Sequence, residues 1–174
     1  SMLNVCDLST DGCFTLGAVV GAMVAASGHP FLSIPAAMCA GILSGFITAF
    51  LQTKMGIDSL LAGIIVNTGL YSINIAVMGN TSLVNLNFTE TIFTKVKAAL
   101  ESTPFAGQYK LIIAAAAVLL VVLFLSFFLK TNLGLALRAT GNNPDMVRSS
   151  SINTSKIIII GLCISNSFTA LSGC

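Results

Sequence analysis

The chain has 174 residues, of which 55% are hydrophobic and only 8% charged, with a formal net charge of +2. Soluble domains carry roughly 25% charged residues, so this chain could not cover a water-facing surface. A bilayer removes that requirement, and the small net charge without basic–aromatic clusters excludes nucleic acid as a partner.

The apolar runs are continuous rather than alternating, which excludes barrel strands and points to helices. A span needs roughly 20 apolar residues. The first run, Gly12 to Ser27, is short and ends at the turn Gly28-His29-Pro30. Its flank holds Asp7 and Asp11 without Lys or Arg, unlike a signal peptide. The second run, Phe31 to Thr53, carries Pro35 in its first turns, where a missing N–H does least harm. Small residues recur along it at Ala37, Gly41, Gly45 and Ala49, and along the first at Gly17, Gly21 and Ala25. Four-residue spacing puts each set on one helix face, where backbones can approach closely.

The third run, Ile57 to Met78, contains Asn67, Thr68, Ser72 and Asn74. Loop 79–108 follows, with a short surface helix expected over Thr91 to Glu101 because Ile92, Val96 and Leu100 share a face. The fourth run, Tyr109 to Leu129, has no polar side chain between Lys110 and Ser126, so most of it is expected to face lipid. The fifth begins near Ile157 and holds Ser165, Asn166, Ser167 and Thr169. The expected fold is therefore all-α: a polytopic transmembrane bundle of about five spans. The first run is short and the last is still apolar at Cys174, so the 174 residues are expected to be part of one longer transmembrane domain.

Five Lys and Arg (Lys54, Lys130, Arg138, Arg148, Lys156) fall on one side and three (Lys95, Lys97, Lys110) on the other. That bias places loop 130–156 in the cytoplasm and loop 79–108 outside. In the cytoplasmic loop, Leu133 to Ala139 can continue as helix and Gly141 can stop it. Asn143 is a good N-cap, Pro144 fits the first helical position and Asp145 complements the dipole. A second short helix over residues 144–150 would expose Met146 and Val147 beside Arg148, a shape suited to a groove on a cytoplasmic partner. A solvated connecting loop is the plainer reading of the same 27 residues.

The segment TNLGLALRATGNNPDMVRSSSIN resembles the cytoplasmic loop of ABC importer permeases of the branched-chain amino acid, ribose and simple-sugar group. Those loops read approximately LG-x-x-x-RA-x-G-x-N, and Leu133, Gly134, Arg138, Ala139, Gly141 and Asn143 match; Ser151 replaces the usual Gly before Ile152. DLSTDGCFTLGA, Asp7 to Ala18, is similar to the group's helix-opening DLS segment, and LSG at 171–173 to the small-residue run closing the span after the loop. The cytoplasmic segment is most similar to a subfamily linked to uptake of tryptophan, tyrosine or other amino acids.

The resemblance implies a bacterial inner-membrane importer of alternating-access type, set among membrane lipid. It implies a second permease subunit, expected as a homodimer, a cytoplasmic ATP-binding subunit and an extracytoplasmic substrate-binding protein. It implies that about Asn143 to Ser150 form the coupling helix on the ATPase, within a docking loop that includes Leu133, Gly134, Arg138, Ala139, Gly141, Pro144, Asp145, Met146, Val147 and Arg148. Polar groups inside the spans would lie near the translocation path: Asp7, Ser9, Asn67, Thr68, Asn74 and Asn166. Hydrogen bonding between helices alone is the other account of those residues.

No Gly-rich phosphate loop with Lys-Ser/Thr, no nucleophile–base pair and no metal-ligand set is legible, so neither catalysis nor a cofactor is expected. The five cysteines and His29 read as apolar packing residues and a turn residue. A secondary transporter or channel without an ATPase is the competing reading; it would be expected to carry acidic coupling groups at mid-membrane.

Overall fold

The computed structural model describes residues 7–28, 30–79, 109–143, 146–147 and 153–174. Among the described residues, six helices are bounded in chain order: α1 (Thr10–Ala26), α2 (Pro30–Lys54), α3 (Ser59–Val77), α4 (Tyr109–Leu129), α5 (Asn132–Asn142) and α6 (Thr154–Gly173). All five expected spans are helical. Phe31–Lys54 of α2, α3 and α6 are long and apolar enough to cross a membrane. Helix α4 reaches that standard together with α5, from which it is bent by 80°. Helix α1, with 17 residues, is shorter, about 25 Å at 1.5 Å per residue. The expected outer helix at Thr91 to Glu101 lies outside the described residues.

The helix ends follow local chemistry. Gly28, at φ +90°, closes α1 in a conformation side chains resist, and Pro30 opens α2 with its φ already helical. The Asp58 carboxylate accepts from the Leu60 amide at 3.0 Å and starts α3. Thr131 caps α5, its hydroxyl accepting from the Gly134 amide at 3.4 Å. Gly134 makes the sharp turn after α4 feasible: a Cβ there would sit 2.5 Å from the Phe128 carbonyl oxygen. The side chain of Asn153 accepts from the Lys156 amide at 3.3 Å and begins α6.

Helices α1, α2 and α6 pack against one another, with α3 added along α1. Both small-residue stripes are buried there: Ala37, Gly41, Gly45 and Ala49 on α2, and Gly17, Gly21 and Ala25 on α1. A Cβ at Gly41 would fall 2.5 Å from the Asn166 carbonyl oxygen, and one at Gly45 would fall 2.6 Å from that of Leu162. The two backbones therefore meet with nothing between them, the contact that holds helices together in lipid. Cys13, Leu16, Val66, Leu70 and Ala170 form the apolar centre.

Helix α4 stands apart. Leu111, Val118, Leu119, Leu120, Val122, Leu123 and Phe127 are exposed, as expected of a lipid-facing span. Phe124 touches the bundle edge-on at Phe168, with ring centroids 5.7 Å apart.

Candidate functional site

Three spans bring polar side chains together at the start of α1. The Asp7 carboxylate folds back over the chain, and its Oδ1 accepts from the Ser9 amide at 2.9 Å and the Ser9 hydroxyl at 2.6 Å. This Asx-type turn sets the direction in which α1 leaves. Ser9 is fully buried and serves as a hub. Its Oγ donates to Asp7, accepts from Asn166 Nδ2 at 3.2 Å and accepts from the Thr48 hydroxyl at 3.3 Å. One hydroxyl has one proton and two lone pairs, so every position on Ser9 Oγ is used whenever Thr48, whose single proton also reaches the Ser44 carbonyl at 3.1 Å, donates to it. Thr48 and Asn166 are also fully buried. One turn from Ser9, the Cys13 thiol donates to the Asn166 carbonyl at 3.1 Å.

The hub lies inside the bundle. Thr48 is six residues from Lys54 at the end of α2, about 9 Å of helix, and Asn166 is twelve from Thr154 at the start of α6, about 18 Å. Helix α1 thus begins within the packed spans. Three hub atoms are buried without a hydrogen-bond partner: Asp7 Oδ2, Asn166 Oδ1 and, on the Thr48 face of α2, Ser44 Oγ. Asp7 forms no ion pair among the described residues.

A second polar contact lies further along α1. Asn74 of α3 donates through Nδ2 to Thr15 Oγ1 at 2.8 Å, and Asn67 lies one helical face-repeat away, with its Oδ1 above Gly12. Both Asn side chains face α1, as their seven-residue spacing requires.

Of the residues expected near a path, Asp7, Ser9 and Asn166 come together, while Asn67 and Asn74 line the neighbouring α1–α3 contact. Thr68 does not join them. It is exposed, and its hydroxyl donates to the Ile64 carbonyl at 2.9 Å on its own helix. One residue's step turns a helix by 100°, so Thr68 points away from the face that Asn67 presents. Thr48 and Ser44 are members that the reading from sequence missed. Their signal is positional: both fall along the Gly41–Gly45 stripe, so a polar side chain there must meet α1 or α6.

The cytoplasmic loop is partly described. Helix α5 buries Gly134, Leu137 and Thr140 and exposes Leu133, Leu135, Arg138 and Ala139. It runs through Gly141 to Asn142 rather than stopping at the glycine; the break comes at Asn143, whose backbone is extended. Asn143 then behaves as an N-cap. Its Oδ1 accepts from the Met146 amide at 3.2 Å, and its carbonyl accepts from the Val147 amide at 3.3 Å. Met146 is 69% exposed as expected, but Val147 is 5% exposed and turns inward. Adjacent helical positions point about 100° apart, so Val147 can turn inward while Met146 stays exposed. Pro144, Asp145 and Arg148 lie outside the described residues.

A model of the family described as branched-chain amino acid transport system, permease component, matches residues 1–174. The tyrosine transport system permease protein of Clostridioides difficile (strain R20291) is 35% identical over 174 residues, covering 99% of this chain and 55% of that protein. An uncharacterized protein of Rickettsia prowazekii (strain Madrid E) is 34% identical over 172 residues, covering 99% of this chain and 58% of that protein. The chain thus spans little more than half the length of these curated relatives. No solved structure matches.

Proposed function

Because the chain belongs to the family of branched-chain amino acid transport permease components, which are transporters and not enzymes, we propose that it is the membrane-spanning part of an ABC importer for a small polar solute. Amino acids are the favoured class, since the named relative is a tyrosine transport permease. The observation that carries the reading is the family match along the whole chain, joined to a polar hub enclosed among apolar helices. Polar groups inside spans are costly and tend to line pathways. On this reading Asp7, Ser9, Thr48 and Asn166 border the path on the α1–α2–α6 side, and Asn67 and Asn74 border it along α3.

The energy comes from a separate cytoplasmic ATP-binding subunit. Its docking surface is the exposed side of α5, with Leu133, Arg138 and Ala139, continued by Met146 after the Asn143 cap. Gly134 turns α5 sharply out of the line of α4, and its buried face holds it against α6, so the docking surface is carried on structure rather than on a loose loop. An extracytoplasmic binding protein delivers the solute, and a second permease subunit, a homodimer partner, completes the path. The protein sits in the bacterial inner membrane as a multi-pass subunit.

The test uses the full-length protein expressed with its ATP-binding subunit. Arg138→Glu and Met146→Asp are expected to lower co-purification of the ATPase several-fold while the permease remains folded. Unchanged association in both variants removes the docking assignment. Uptake by the full-length permease alone, driven by an ion gradient, would replace the importer with a secondary transporter.

A further inference from the structure

We infer that the hub at the start of α1 is a binding site for a monovalent cation, held by Asp7 Oδ2 and Asn166 Oδ1, and that the cation is either the ammonium group of the transported solute or a free ion. The inference rests on the permease reading for its biological meaning, but not for its chemistry. Asp7 Oδ1 is occupied twice by Ser9, whereas Asp7 Oδ2 is buried and has no hydrogen-bond partner. No Lys or Arg among the described residues pairs with it. A carboxylate oxygen buried beside apolar helices without a countercharge is costly, even on a half-buried residue, and a cation lowers that cost.

Asn166 supplies the second, independent observation. It is fully buried, its Nδ2 is committed to Ser9 Oγ, and its Oδ1 is left unpartnered at the same hub. An Asn oxygen buried this deeply should find a donor. Both free atoms are acceptors, so the complementary ligand is a donor or a bare cation rather than an anion. Ser9 cannot supply the proton, because its own is given to Asp7. Thr48 spends its proton on Ser9 or on the Ser44 carbonyl. The unpartnered Ser44 hydroxyl adds a further oxygen on the α2 face. One carboxylate with neutral oxygens suits a single positive charge. Among the described residues, no three His, Cys, Asp or Glu gather as a multivalent metal would require.

The geometry also assigns Ser9 a positioning role. Its donation to Asp7 Oδ1 and its acceptance from Asn166 Nδ2 fix which oxygen of each side chain remains free.

The test is ligand-induced thermal stabilisation of the full-length permease in lipid nanodiscs. The probes are potassium, sodium, methylammonium, L-tyrosine, the same phenol acid lacking its amine, and ribose. Saturable stabilisation by at least one cationic or amine-bearing probe is expected, with none from ribose or the amine-free acid. Asp7→Asn keeps the oxygen that Ser9 uses and removes the charge. The amide NH2 that takes the place of Oδ2 is a donor and cannot hold a cation, so the responding probe should weaken by about tenfold or more. Asn166→Asp adds a second negative oxygen and should tighten it, giving a variant that gains rather than loses. Response to inorganic ions alone identifies a free ion, and response to methylammonium or tyrosine identifies the solute's ammonium group. No response to any cation, or equal midpoints in the wild type, Asp7→Asn and Asn166→Asp, overturns the inference. Loss of ATPase association would sink the importer reading instead, and that measurement involves no cation.

Discussion

Helices α2 and α4 are both long, apolar and uninterrupted by charge, yet they have opposite fates. Helix α2 is gripped on two sides by α1 and α6, and α4 meets the bundle edge-on through Phe124. Overall hydrophobicity does not separate them. In lipid, apolar surface gains little by leaving one hydrocarbon for another, so what decides is whether the backbone can be reached. The Ala37–Gly41–Gly45–Ala49 stripe opens α2 to close approach, while the Val, Leu and Phe side chains of α4 keep neighbours at arm's length.

The largest expected effect comes from closing that approach. Gly41→Leu should destabilise the folded protein by about 3 kcal/mol or more, since the new side chain meets the carbonyl of Asn166 and not a flexible neighbour. Reversible unfolding of the full-length protein in mixed micelles measures it, and a loss under about 1 kcal/mol would show that α2 and α6 can part freely. Ser9→Ala comes next. It takes the shared partner from Asp7, Thr48 and Asn166 together and should cost about 2 kcal/mol. The double variant Ser9→Ala with Asn166→Ala should lose less than the sum of the single changes, because both act on one hydrogen bond. Strict additivity would deny the hub. Smallest is Leu119→Ala on α4, which should stay within about 0.5 kcal/mol, because it leaves neither a cavity nor an orphan polar group. A core-sized loss there would make α4 part of the packed bundle.

The spans were legible in the sequence because they need only composition and length. The two stripes were legible because small residues at four-residue spacing have one geometric meaning. The hub was half legible. Asp7, Ser9 and Asn166 stand out as polar groups at the edge of or inside apolar runs, but Thr48 and Ser44 are inconspicuous within α2, and only their place along its glycine face gives them away. Thr68 failed for the opposite reason: it neighbours Asn67 in sequence but not on the helix surface, and a threonine in a span can satisfy its hydroxyl on its own backbone. The inward turn of Val147 was hidden because which side of a short turn is buried depends on where that turn docks, and no local pattern encodes it.

The bend at Gly134 has a mechanical consequence. Helix α5 is a crossbar about 16 Å long, tied at one end to α4 by a tight corner and pressed against α6 along its buried face. Its two posts differ in stiffness. Helix α6 is clamped by backbone contacts to α1 and α2, whereas the described face of α4 is gripped at little more than one aromatic ring. A load placed on the crossbar therefore tilts α4 first. The expected motion is then of α4 against a trio held by its backbone contacts, with the space between α4 and its neighbours opening or narrowing.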